Sequence, residues 1–121
     1  MQKLVLHSLL FFLLLACGKP LPTFDDFDLD TWKDDKAGCK LVRKGLIDQL
    51  DKQREKIKSL SEQEVVDLLG RPDKNELLKR NQKFFYYFLE PGPACGSYNN
   101  EFKKLMIRFN AIGLAKEVSI E

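Results

Sequence analysis

The sequence predicts an α+β domain in which two helices pack on a three-stranded antiparallel β-meander. Three observations lead there: a helical stripe of apolar residues over about 35–58, a second helix whose start and stop are both marked, and a C-terminal third built of short apolar runs between turn residues. The first helix runs from about Asp35 to Lys58. Cys39, Val42, Leu46, Leu50 and Ile57 recur in it at three-, four- and seven-residue steps and so share one face, while lysines and acids fill the rest. Cys39 lies on that stripe, and its sulfur is expected to face the core. The second helix opens on Ser61 and Glu64, which form a capping box, with Leu60 and Val65 placed as a hydrophobic staple around it. Val65, Val66, Leu68 and Leu69 supply its apolar face, Gly70 offers the left-handed stop, and Pro72 forbids continuation.

Asp73 to Lys83 is polar apart from Leu77 and Leu78 and reads as a loop with one helical turn. Phe84-Phe85-Tyr86-Tyr87-Phe88-Leu89 reads as a strand apolar on both faces. Glu90-Pro91-Gly92-Pro93 ends it in a loop that carries Cys95. A second strand, about Phe102 to Phe109, alternates Leu105, Ile107 and Phe109 against Lys104 and Arg108. The Asn110-to-Gly113 turn then leads into a last strand with Val118 and Ile120 facing inward. No repeat or low-complexity tract interrupts this order.

The N-terminus has a different character. One positive charge, Lys3, precedes an apolar run from Leu4 to Leu15 broken only by His7 and Ser8. The run is shorter than the ~20 residues a bilayer requires. It has the length of the central region of a secretion signal, with the small residue Ala16 at the cut site. Leu14-Leu15-Ala16-Cys17 resembles the lipobox of bacterial lipoproteins. That resemblance implies cleavage before Cys17, a diacylglyceryl thioether on its sulfur and acylation of the new amine. The alternative is an ordinary signal with an incidental cysteine. With several acyl chains, at ~0.8 kcal/mol per buried methylene, anchoring is durable. Gly18 stands where an aspartate is associated with inner-membrane retention, so the expected location is the outer membrane, on its periplasmic face.

Removing the signal changes the inventory. His7 is the only histidine, so residues 17–121 have no imidazole for general-base chemistry, a nucleophile pair or metal ligation. Of the three cysteines, lipidation of Cys17 leaves Cys39 and Cys95 as an even pair in an oxidising compartment, where a disulfide is the default. Free thiols, a redox centre or a metal site are the alternatives, without C-x-x-C spacing or a second ligand type to favour them. Charge divides the mature chain as well. Residues 24–35 carry six aspartates against Lys33, net −5, whereas residues 36–121 carry twelve acids against seventeen bases, net +5. The expected organisation is a signal over 1–16, a lipidated N-terminus and acidic tether over 17–35, and a small disulfide-closed domain over 36–121.

Two resemblances follow from particular residues. Val65-Val66-Asp67-Leu68-Leu69-Gly70-Arg71-Pro72-Asp73, the Tyr86-Tyr87 strand, and Leu105-Met106-Ile107-Arg108-Phe109-Asn110 with Gly113 resemble the SmpA/OmlA type of outer-membrane lipoprotein. Its best-known member is the small accessory subunit of the β-barrel assembly machinery. This likeness covers about residues 60–121 and implies two helices on a three-stranded sheet, an arrangement also found in β-lactamase-inhibitor-like domains. Trp32-Lys33-x-Asp35-x-x-Gly38-Cys39, with Pro91-Gly92-Pro93-x-Cys95, is similar to lipoproteins of Bacteroidota-type bacteria, and implies location and fold without an activity. The long charged first helix, the acidic Trp32 segment and the cysteine pair depart from the assembly subunit, and no functional residue is carried over from it.

Other patterns are weighed and set aside. Asp26, Asp28 and Asp30 alternate like calcium-loop ligands, but Thr31 stands where such a loop needs glycine and Ala37 where it needs glutamate. Glu90 and Glu101 invite comparison with a glycosidase carboxylate pair, although such pairs arise by chance in a chain with eighteen acidic residues. Lys79, Arg80, Lys83, Lys103, Lys104 and Arg108 form either a basic patch or ordinary solvated cations, and export removes nucleic acid from the candidate partners.

The expected function is therefore that of a non-enzymatic envelope lipoprotein with a protein partner, an accessory to outer-membrane assembly, with neither cofactor nor metal. The alternative is a periplasmic inhibitor or sensor domain of the β-lactamase-inhibitor-like fold. The candidate partner-binding residues are Trp32, Tyr86 and Tyr87. Docking of Trp32 onto the domain is the competing reading for that residue, and cover by helices, the tether or Trp32 is the competing reading for the aromatic strand.

Overall fold

The computed structural model describes residues 20–121; the lipidation expected at Cys17 lies outside them. The described residues contain helices α1 (Leu29–Asp34), α2 (Val42–Gly45), α3 (Ile47–Gln53) and α4 (Glu62–Leu69), and strands β1 (Lys74–Leu78), β2 (Gln82–Phe88), β3 (Lys104–Phe109) and β4 (Ala115–Ile120). The strands form one antiparallel meander in the order β1-β2-β3-β4. The α+β class holds, but the sheet has four strands where three are expected. The extra one is β1, in the stretch read as loop: it pairs with β2 from Lys74 opposite Tyr86 to Leu78 opposite Gln82. Its exposure explains the miss, because a strand that buries neither face carries no apolar alternation.

α4 forms as its sequence dictates. The Ser61 Oγ accepts the Glu64 amide at 3.2 Å while Glu64 Oε1 accepts the Ser61 amide at 3.1 Å. At the other end Gly70, at φ +83°, turns the chain out of the helix. The carbonyls left over there find side-chain donors: Trp32 Nε1 donates to Leu69 O at 3.0 Å, Lys33 Nζ to Asp67 O at 3.2 Å, and the Tyr87 hydroxyl to Gly70 O at 2.8 Å. Replacing Ser61 with alanine is expected to cost about 1 kcal/mol, read as a lower urea midpoint with an unchanged slope.

The single helix expected over 35–58 is instead a broken path. A helical turn over Lys36–Gly38 precedes α2, and another over Arg54–Ile57 follows α3. Ala37, Gly38 and Leu41 all have positive φ. Carboxylates that bind the backbone override helix propensity here. The Asp35 carboxylate accepts the Lys40 amide at 2.6 Å and the Arg43 amide at 2.9 Å, while Asp73 accepts the Ala37 amide at 2.9 Å. Gly38 is the hinge of the break: at φ +69°, it lies so close to β2 that a Cβ there would stand 2.9 Å from Phe88 O. Leu50 and Ile57 still reach the core, but Cys39 does not. It is exposed, contrary to the position on the apolar stripe, because the left-handed turn rotates it outward.

The acidic segment also departs from a solvated tether. Phe24, Phe27 and Trp32 belong to the core together with Leu50, Leu69, Tyr87, Leu105, Ile107 and Val118. Their rings run in sequence, Phe24 to Phe27 at 5.3 Å, Phe27 to Trp32 at 5.4 Å and Trp32 to Tyr87 at 6.0 Å between centroids. Of the acids, Asp28 caps α1 by accepting the Asp30 and Thr31 amides, and Asp35 is buried. The compact structure therefore begins near Phe24 and not at residue 36.

Candidate interaction face

The two faces of the sheet differ. Phe85, Tyr87 and Leu89, with Leu105, Ile107, Phe109 and Val118, are buried in the core shared with the helices. On the other face the strand register aligns Lys74, Tyr86, Met106 and Ser119 in one row, and Glu76, Phe84, Arg108 and Glu117 in the next. Phe84, Tyr86 and Phe88 there are half-buried. The Phe84 and Tyr86 rings stack at 6.2 Å, and Phe88 meets Phe102 edge-on at 5.0 Å. Met106 is buried beside them, and the Ser119 hydroxyl is enclosed with no hydrogen-bond partner among the described residues.

A cleft of about 380 Å³ opens on this face, with Tyr86, Phe88, Phe102 and Pro93 as its apolar lining and Lys74, Lys104 and Glu121 at its rim. The ammonium groups sit over its rings: Lys104 Nζ lies 4.5 Å from the Phe102 centroid, and Lys74 Nζ 5.7 Å from that of Tyr86. Partial burial, then the charges of Glu76 and Glu121, push the Tyr86 phenol above its ordinary range. A second cleft of about 510 Å³ adjoins the first through Phe102, Lys104 and Glu121, and includes Glu90 and Glu101. Glu90 is engaged there in holding the loop, accepting the Lys103 amide at 2.9 Å.

One wall of the smaller cleft is the turn Pro93–Cys95, fastened from behind by the Cys39–Cys95 disulfide across a Cα separation of 5.5 Å. Gly92 sets the other limit. A Cβ there would enter the Phe102 ring. Gly92→Ala is therefore expected to expel Phe102 from Phe88 and destabilise the domain by about 1–3 kcal/mol, with the ring's displacement visible in Phe88 and Phe102 side-chain NMR shifts.

Of the three candidate binding residues, Tyr86 alone reaches this surface. Trp32 and Tyr87 are fully buried, and both serve as caps on the carbonyl end of α4. Burial holds the Tyr87 phenol well above its ordinary range. The supposed basic patch is partly neutralised: Lys83 pairs with Glu62 and Arg108 with Glu117. Among the described residues no group of three or more histidine, cysteine or acidic side chains is placed to hold a metal ion, and no helix is long and apolar enough to cross a membrane.

Beneath β2 lies a buried polar centre with no counterpart among the residues singled out from the sequence. Arg43 donates from Nε to Trp32 O at 3.0 Å, and from Nη1 to Asp73 Oδ2 at 2.7 Å and Phe88 O at 3.2 Å. Its guanidinium lies 4.5 Å from the Trp32 ring centroid. Asp73 also accepts the Phe88 amide at 2.7 Å. Asp73 directly after the Gly70-x-Pro72 stop was the available signal, since an acid at a fixed distance from a helix end is placed to bind the backbone it faces. No family model, curated protein or solved structure matches the chain.

Proposed function

We propose that the chain is a lipid-anchored envelope protein, tethered through Cys17, that binds another protein through the aromatic outer face of its sheet and performs no catalysis. In this reading it is an SmpA/OmlA-like accessory of outer-membrane assembly, with β1 added at the edge of that family's meander. The observation that carries the binding role is the group Phe84, Tyr86, Phe88 and Phe102, which remain partly exposed on the sheet face opposite the core. Aromatic surface of this kind, rimmed by charge, is what protein partners bury. The disulfide supports an exported location, because such bonds persist in oxidising compartments.

The two halves of the reading are tested separately. Metabolic labelling with palmitate tests the anchor: label is expected in the wild type and lost in Cys17→Ser, and a labelled Cys17→Ser protein would refute it. A photo-crosslinking amino acid at position 86 tests the face, with exposed Lys116 as the control position. Adducts with barrel-assembly proteins from residue 86 alone support the assembly role. A stable complex with a soluble periplasmic enzyme would favour an inhibitor, and equal adducts from both positions would remove the face from consideration.

A further inference from the structure

The two edges of the sheet, β1 and β4, are treated in opposite ways. Along β4 the Ser59 amide donates to Ala115 O at 2.8 Å, the Ala115 amide to Leu60 O at 2.8 Å, and Arg54 Nη1 to Val118 O at 2.6 Å. Covering an edge in this way blocks pairing with foreign strands. Along β1 nothing comparable occurs. Among the described residues no hydrogen bond reaches β1 from beyond β2. Lys74, Asn75, Leu77 and Leu78 are exposed, Leu77 to 70%.

The direction of the existing bonds identifies the open groups. In an antiparallel pair, successive residues turn their backbone groups alternately toward one neighbour and the other. The Leu89 amide donates to Lys103 O at 2.9 Å, so the inward residues of β2, Tyr87 and Phe85, bond toward β3 and the outward ones toward β1. Lys74 and Glu76 stand opposite Tyr86 and Phe84 and are satisfied by them. Asn75 and Leu77 therefore present their amides and carbonyls to the outside, next to an exposed leucine pair.

Charge selects the occupant. The hairpin over residues 74–83 carries Lys74, Lys79, Arg80 and Lys83 against Glu76, four bases to one acid, net +3. Lys74 pairs with Glu76 and Lys83 with Glu62, while Lys79 and Arg80 have no ion pair among the described residues. A second copy fits poorly. Antiparallel pairing centred on Glu76 sets that carboxylate against itself, pairing centred on Leu77 sets Lys74 against Arg80, and pairing centred on Asn75 sets Leu77 against Asp73, whose amide is already bonded to Tyr86 O. We propose that β1 accepts an extended acidic segment of a different polypeptide as a fifth strand, bonded through Asn75 and Leu77 and held by Lys79 and Arg80. This mode of recognition takes affinity from main-chain bonds and selectivity from flanking side chains. It uses an edge distinct from the aromatic face, and stands or falls independently of what binds there.

The test uses the full mature chain in detergent micelles and two synthetic probes, a short peptide alternating valine with glutamate and its lysine twin. The glutamate peptide is expected to bind by fluorescence anisotropy, roughly tenfold more tightly than the lysine peptide, and to slow amide exchange at Asn75 and Leu77. Leu77→Pro removes an outward amide and none of the bonds to β2, a place where edge strands tolerate proline, and is expected to abolish binding. Should that variant not fold, the double variant Lys79→Glu, Arg80→Glu alters exposed positions only and is expected to reverse the peptide preference. Equal affinity for both peptides would overturn the proposal, as would binding unchanged by these substitutions. Exchange protection that grows with protein concentration in the absence of peptide would overturn it too, by assigning the edge to a second copy.

Discussion

Replacing Arg43 with methionine is expected to destabilise the domain by about 3–5 kcal/mol, the range seen when one member of a buried charged pair is removed. Arg43 is 1% exposed, and its side chain joins three separate parts of the chain. It donates to Trp32 O in α1, to the Asp73 carboxylate ahead of β1 and to Phe88 O at the end of β2. Methionine fills much of the volume but donates nothing, so the Asp73 carboxylate stays largely buried with its counter-charge gone, Phe88 O loses its side-chain donor, and Trp32 O keeps only the Asp35 amide. Removing an exposed pair such as Lys40–Asp34, with 61% and 75% of the two side chains accessible, is expected to leave the urea midpoint close to the parent's. The contrast isolates burial as the cause. Arg43→Lys is expected to recover only part of the loss, because an ammonium lacks the planar fork that reaches Trp32 O and Asp73 together. Urea unfolding followed by the fluorescence of Trp32, the only tryptophan, measures all three. A loss below about 1 kcal/mol for Arg43→Met would show that the network adds little beyond packing.

That network also marks the limit of what was legible in the sequence. α4 could be read because its determinants are local: Ser61 and Glu64 at its start, Gly70 and Pro72 at its end. β2, β3 and β4 could be read because each buries a face, and alternating burial leaves alternating residues. The cysteine pair could be read because, once Cys17 is set aside with the signal-like N-terminus, only Cys39 and Cys95 remain to pair. The break in the expected helix over 35–58 was not legible because side-chain hydrogen bonds to its backbone and one close backbone approach, not its own periodicity, set its conformation. Asp73 holds the Ala37 amide, Asp35 holds the Lys40 and Arg43 amides, and Gly38 presses on Phe88 O, so a stretch with good helical periodicity is folded into short turns.

Trp32 was ambiguous for the related reason that its anchoring partner, the Leu69 carbonyl, lies 37 positions away. In the acidic segment, charge masked an apolar pattern. Phe24, Phe27 and Trp32 alternate with aspartates that end up on the outside or as caps. β1 was invisible because an edge strand exposed on both faces obeys no burial pattern at all, and the same exposure is what leaves Asn75 and Leu77 open.

The second large effect is expected at the disulfide. Replacing Cys39 and Cys95 together with alanine removes a cross-link between residues 56 positions apart. On the chain-entropy account a loop of that length contributes about 4 kcal/mol by restricting the unfolded chain. For a domain this small that is a large share of the total. The loss should not fall evenly over the structure. The bridge joins two turns, Lys36–Gly38 and Pro93–Cys95, each outside the sheet. Residues 93–100 are otherwise tied mainly to themselves, through the Ser97 amide on Gly92 O and the Asn99 amide on Ser97 Oγ. Without the bond this loop has little to hold it against β2, and the wall of the aromatic cleft formed by Pro93 goes with it. Amide exchange in the double variant is therefore expected to speed up first over residues 92–100, while β3, bonded on both sides, retains its protection until global unfolding. Replacing both cysteines keeps an unpaired thiol from confusing the measurement, and mild reduction of the wild type supplies the same comparison without mutation. A double variant within about 1 kcal/mol of the parent would mean the two turns are already held by packing. Uniform exchange across loop and sheet would mean that the cleft wall and the core open as one unit, in which case the disulfide stabilises the whole domain without specifically shaping its interaction face.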